Sequence, residues 1–205
     1  MRTPSTTRRA GFTLLESMIS LSIFAVLGYS IAVVVGTAND SQRTVYRVAA
    51  EGRSLRESSS LLTDELRTST NSQITVTTLA DGNSSLTFRM PVESGGNLLW
   101  GVFDRKLGAD YASQNNVDWS LRYTVVNAVG PDGALDRQLV RQILDAGSVV
   151  RDEQVIAHRL NNGTGAHPGF NVVQTGAMWV VTVSSEGHSA GTPGMRAEFH
   201  VQTRN

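Results

Sequence analysis

The sequence predicts an α+β protein: one long N-terminal helix followed by an antiparallel, β-rich domain. Two patterns carry that expectation. Apolar residues run almost unbroken through "FTLLESMISLSIFAVLGYSIAVVVG", then recur at steps of three and four to about Ser69. Past Asn71 the period changes to two, and Gly-, Asn- and Asp-rich turns punctuate the chain. A length of 205 residues suits one domain plus an appendage.

The first element is the apolar run. From Phe12 to Gly36, 25 residues, the only charged side chain is Glu16. As a helix this stretch is about 37 Å long, enough to cross a hydrocarbon core with some tilt. Arg2, Arg8 and Arg9 precede it with no acid among them. The positive-inside rule therefore keeps the N-terminus cytoplasmic and exports the rest. The second element continues the helix. Val45, Val48, Gly52, Leu55, Ser59, Leu62 and Leu66 form a seam, with Arg43, Arg47, Glu51, Arg53, Arg56, Glu57, Asp64, Glu65 and Arg67 between them. Two of these seven seam residues are Gly and Ser. That fits a helix laid on its own sheet better than a coiled coil.

Strands follow. "QITVTTL" sets Ile74 and Val76 on one face, "DGNS" (81–84) turns, and "SLTFRM" returns with Leu86, Phe88 and Met90 inward. Further strands are expected at 98–103, 119–128 and 138–144, with a turn at "GPDG" (130–133), and at 170–176 and 178–185. The last, "RAEFHVQT" (196–203), sets Ala197, Phe199 and Val201 against Arg196, Glu198, His200 and Gln202.

Composition removes several function classes. Eighteen basic residues balance eighteen acidic ones, so overall charge gives no argument for nucleic acid. Without cysteine there is no disulfide framework, thiolate metal site or catalytic thiol. An extracytoplasmic home stays open.

Glu16 makes the apolar run unusual. A secretory signal cut after Ala38 would have small residues in place, Gly36 and Ala38, but its apolar stretch would be too long. A twin-arginine signal at Arg8–Arg9 fits poorly, because an acid in its apolar stretch is atypical. A plain uncleaved anchor explains everything except Glu16, since a mid-membrane carboxylate costs about 3 kcal/mol on insertion scales.

The stretch "RRAGFTLLESMISLSIFAVLG" closely resembles the N-terminal signal of type IV pilins and type II secretion pseudopilins. The resemblance covers about the first 40 residues. It implies cleavage by prepilin peptidase between Gly11 and Phe12 and N-methylation of Phe12. It also implies that Glu16 pairs with the terminal amine of a neighbouring subunit during assembly. Self-pairing with the chain's own Phe12 amine is the competing arrangement. The fold implied is pilin-like, one long helix half embedded in a β domain. The implied organisation is a leader at 1–11, a transmembrane and assembly helix at 12–37, its amphipathic continuation at 38–70, and an extracytoplasmic β-rich domain at 71–205. The implied partners are prepilin peptidase, other minor and major pseudopilins or pilins, and an inner-membrane assembly platform. The implied location is the bacterial inner membrane, single pass, with incorporation into a pseudopilus or pilus. "LVRQILD…VIAHRL", two late strands and a closing "TRN" resemble J-type minor pseudopilins and PilW-like minor pilins. On this reading the chain is no enzyme, uses no cofactor or metal and binds no nucleic acid. The alternatives are a type IV minor pilin for adhesion, motility or DNA uptake, and a membrane-anchored binding or hydrolase module.

Other motifs are weighed as decoys. "GHSAG" (187–191) has the G-x-S-x-G pattern, but Thr192–Pro193–Gly194 and a strand follow where a nucleophile elbow needs a helix. Ser189 is thus expected in a Gly-rich loop. His158, His167, His188 and His200 lack metal-like spacing. Asp132 and Asp136 in "GPDGALD" are few carboxylates for a calcium loop and lack the EF-type pattern, though some pseudopilins bind calcium in loops. "GTGAHPG" (163–169) lacks the spacing and helix of a phosphate loop.

Overall fold

The structure is a computed structural model that describes residues 13–130, 133–162, 168–187 and 194–204. The Gly11–Phe12 junction, Asp132, His167, His188 and Ser189 lie outside the described residues. The chain divides into two compact units, one ending at Val48 and the other beginning at Ala49. One helix, α1 (Leu14–Thr68), contributes residues to both. Among the described residues the architecture is α+β: this apolar N-terminal helix and eleven strands in three antiparallel sheets.

In the second unit, α1 buries Gly52, Leu55, Ser58, Leu62 and Leu66, the expected three–four spacing. Two details differ from the expected seam. Ser58 replaces Ser59 as the buried serine, because its Oγ donates to the Ile156 carbonyl at 2.6 Å. Val45 and Val48, both in the first unit, are 66% and 41% exposed. The helix ends where Ser69 N–H turns back to the Leu66 carbonyl (3.1 Å), with Arg67 in its last turn, the favourable sign for the dipole.

The main sheet contains β1 (Ile74–Thr78), β2 (Ser84–Phe88), β6 (Ser120–Val129), β7 (Leu135–Leu144) and β8 (Val150–Ala157), in the order β1-β2-β6-β7-β8. The β1–β2 turn is fixed by Asp81, whose Oδ1 accepts the Asn83 N–H (3.0 Å), and by Gly82 at φ 84°. The β6–β7 hairpin closes where Gly133 (φ 77°) donates to the Gly130 carbonyl. A second sheet, β3 (Met90–Ser94), β4 (Asn97–Phe103) and β5 (Asn115–Val117), is inserted between β2 and β6, with α2 (Tyr111–Gln114) before β5. The third is β9 (Phe170–Thr175), β10 (Met178–Ser184) and β11 (Arg196–Gln202), in the order β11-β10-β9.

Leu86 and Phe88 point inward as expected, but the expected strand through Met90 breaks at Arg89, and Met90 opens β3 in a different sheet. Pro91 follows it and holds the preceding residue in extended backbone without adding a donor. The core joins Leu55, Leu62 and Leu66 to Leu86, Phe88, Leu121, Tyr123, Leu139 and Ile143, and to Val181, Val183 and Val201 of the third sheet. Asn71, just past α1, ties that sheet in place. Its Oδ1 accepts from Trp179 Nε1 and Thr203 Oγ1, each at 2.8 Å.

Candidate functional site

The N-terminal part of α1 is the candidate site. Glu16 sits in the first turn, where the unpaired N–H groups and the dipole favour an anion. Its backbone N–H donates to Thr13 Oγ1 at 3.3 Å, and Ser17 N–H donates to the Thr13 carbonyl at 3.1 Å. Thr13 is thus the N-terminal cap, three residues before an acid. That Thr-x-x-Glu spacing is a helix-start signal which the sequence reading passed over. The Glu16 side chain is exposed, which leaves it open to a partner from another molecule.

Beyond Glu16, the residues from Ser17 to Asn39 carry no charge. The helix is long and apolar enough to cross a membrane, and none of its apolar stretch is buried. Leu14, Leu21, Phe24 and Tyr29 are 72–82% exposed. Four hydroxyls within this surface are internally satisfied. Ser22, Ser30 and Thr37 each donate to the carbonyl four residues back at 2.9 Å, and Ser17 donates at 3.4 Å. A hydroxyl bonded this way carries little cost in lipid or against another apolar helix. An all-round apolar helix of this kind needs lipid or neighbouring helices as its solvent.

A second cluster lies inside the β-rich unit. Arg141 of β7 is 4% exposed and meets Glu65 of α1 (13%) and Asp104 (14%). Its Nε lies 2.9 Å from Glu65 Oε1, and its Nη2 lies 2.7 Å from Glu65 Oε1 and 2.9 Å from Asp104 Oδ2. The Tyr123 hydroxyl donates to Glu65 Oε2. Burial, then the Glu65 charge, push the Tyr123 pKa well above its usual value, so the hydroxyl stays a donor. Burial disfavours the Arg141 charge, but Glu65, Tyr123 and Asp104 outweigh it and raise its pKa. The cluster holds a helix, a strand and a loop together, and each group is satisfied by another of its members. Sequence reading placed Glu65 among the solvated charges of α1. The usable signal was Arg141, a lone charge inside "LVRQIL".

The remaining candidates fall apart in space or are satisfied locally. His158 Nδ1 lies 2.9 Å from Asp136 Oδ2, and Asp136 also accepts from Gln138 Nε2 (2.7 Å) and Arg159 N–H (2.9 Å). Partial burial works against the Asp136 charge, but these donors hold its carboxyl below the usual range. His200 faces Glu198 on the exposed side of β11. Among the described residues no group of three His, Asp or Glu side chains is arranged to hold a metal ion.

Residues 6–28 match the family model for the prokaryotic N-terminal methylation motif. No curated protein and no solved structure matches the chain. The motif spans the two arginines, the Gly11–Phe12 junction, Glu16 and the start of the apolar surface. It supports a type IV pilin-like or pseudopilin protein. It implies processing by prepilin peptidase and assembly with other pilins. The apolar helix and the motif together suggest membrane anchoring.

Proposed function

We propose that this chain is a minor pseudopilin of a type II secretion pseudopilus, anchored in the inner membrane with its β-rich unit outside the cytoplasm. The observation that carries the proposal is the methylation motif running directly into an exposed helix that has Glu16 in its first turn and no charge from Ser17 to Asn39. Prepilin peptidase cuts between Gly11 and Phe12 and methylates Phe12. The new amine keeps its positive charge after methylation. Glu16 is unfavourable in lipid, by up to about 3 kcal/mol at mid-membrane and less near the helix start. Packed among other helices it meets the Phe12 amine of a neighbour, where charges interact more strongly than in water. The cost of staying alone and the gain on packing both favour assembly.

The J type is supported by the β7–β8 pair that carries "LVRQIL" and "VIA", and by the two closing strands β10 and β11. An inserted three-stranded sheet, β3-β4-β5, gives the unit more surface than a compact fibre subunit needs, which suits contacts with unlike partners in a tip complex.

The test is a Glu16→Leu strain with its cognate machinery. Cleavage should be intact, while crosslinking to partner subunits and secretion fall about tenfold, the shift produced by about 1.4 kcal/mol. Normal incorporation and secretion would reject the assembly role of Glu16. Deleting the gene should abolish secretion and leave surface pili intact. Loss of pili with secretion unchanged would move the chain to a type IV pilus.

A further inference from the structure

Three open sheets expose six edges, and five of them are blunted by recognisable devices. β8 carries Arg151, Asp152 and Glu153, has two register irregularities, and gives its Ile156 carbonyl to Ser54 and Ser58 of α1. β3 contains Pro91 and Glu93. β5 is three residues long. The Phe170 and Val172 N–H groups of β9 are taken by Asn83 Oδ1 and Ser84 Oγ. β11 carries Arg196, Glu198 and His200. The sixth edge, β1, reads Ile-Thr-Val-Thr-Thr. It has no charge, no proline and an unbroken register with β2.

The register shows which of its backbone groups are open. Leu79 N–H donates to the Asn83 carbonyl, so in the alternating pattern of an antiparallel pair Thr77 and Thr75 face β2. Ile74, Val76 and Thr78 therefore direct their N–H and C=O groups away from the sheet. The Ile74 N–H is already bonded to the Asn71 carbonyl. What remains is the Ile74 carbonyl and both groups of Val76 and Thr78.

Apart from the Thr78 carbonyl, which stays open to water, this set is self-complementary. An antiparallel copy centred on Val76 makes two reciprocal bonds between the Val76 residues and one from Thr78 N–H to the Ile74 carbonyl in each direction. The bonded Ile74 N–H has no part in this pairing. Thr75 falls opposite Thr77 of the copy, a favourable cross-strand pair. Val76, already packed at the edge of the core, meets Val76. A residue at a two-fold axis meets itself, so any charge there repels its own copy. β1 is neutral where β8 and β11 are not. We propose that β1 is a docking edge for a second copy of this chain, joined β1 to β1 in antiparallel register about Val76. The proposal rests on the β-rich unit and does not depend on the reading of the N-terminal helix.

The chain has no cysteine, so single-cysteine variants report cleanly. The full-length protein would carry Val76→Cys, Gln154→Cys on β8 or Glu198→Cys on β11, and be treated with a short bifunctional methanethiosulfonate. Val76→Cys should give a homodimer in at least fivefold higher yield than either control. Adding Thr78→Pro removes one outward N–H and spares the β1–β2 ladder. Adding Thr75→Lys/Thr77→Lys at exposed positions sets like charges across the seam. Either change should cut the yield at least fivefold with tryptophan fluorescence unchanged. Equal yields at the three sites, yields insensitive to both changes, or an adduct only to a different protein would overturn the proposal.

Discussion

Replacing Arg141 with Met should be among the most damaging single changes in the β-rich unit. The substitution keeps much of the side-chain volume and removes the only cation facing Glu65 and Asp104 in that cluster. Removing one partner of a buried ion pair costs about 3–5 kcal/mol. Both carboxylates retain slight exposure, at 13% and 14%, and Tyr123 still donates to Glu65. Water and that bond reduce the loss to about 2–4 kcal/mol. For a unit of this size that lowers the melting temperature by about 4–16 °C. The assay is denaturation of the full-length protein in detergent, followed by fluorescence of Trp100, Trp119 and Trp179, all in the unit beginning at Ala49. Arg141→Met/Glu65→Leu should recover part of the loss, because it removes the stranded Glu65 charge while Asp104 stays unpaired and the Tyr123 hydroxyl loses its acceptor. A single variant within about 0.5 kcal/mol of wild type, or a double variant no better than the single, would refute this account of the cluster.

Leu66→Ala, at a fully buried position against the sheet, should cost about 2–5 kcal/mol in the same denaturation. Ser58→Ala should cost only about 0.5–1.5 kcal/mol, because Ser54 Oγ still donates to the Ile156 carbonyl. Gly101→Ala should loosen β4 from β5, since an added Cβ would lie 2.1 Å from the Asn116 carbonyl oxygen; faster hydrogen exchange at 115–117 reads it out. The Asp136 carboxyl titrates below its usual range, so its contribution is present above about pH 3.9 and is lost as the pH falls through its lowered pKa. Asp136→Asn should therefore be less stable than wild type at pH 6, with the difference closing below about pH 3.9.

What the sequence made legible was whatever repeats with the period of its element. Leu55, Leu62 and Leu66 announce the helix face, and Leu86 with Phe88 or Ala197 with Phe199 and Val201 announce strand faces. The hairpin turns were legible because Asp81, Gly82 and Gly133 meet specific backbone needs. β8 was not legible. "RDEQ" at 151–154 lies on an outer edge and shows no alternation, so a polar strand reads as a loop. The break at Arg89 was hidden because Leu86, Phe88 and Met90 keep period two across a change of sheet. Glu65 and Arg141 were missed as partners because 76 residues separate them, and only the packing of α1 on β7 brings them together. At the candidate site, Glu16 stood out as the lone charge between Phe12 and Gly36. Thr13 did not, since its capping bond is local and carries no apolar contrast.

The central claim is that the chain is a processed, methylated assembly subunit. Mass spectrometry of its N-terminal peptide, taken from cells that contain prepilin peptidase, tests this most directly. The account predicts a mature chain beginning at Phe12 with one methyl group on its α-amine. A chain beginning at Asn39, or one that keeps residues 1–11 intact in those cells, would contradict it.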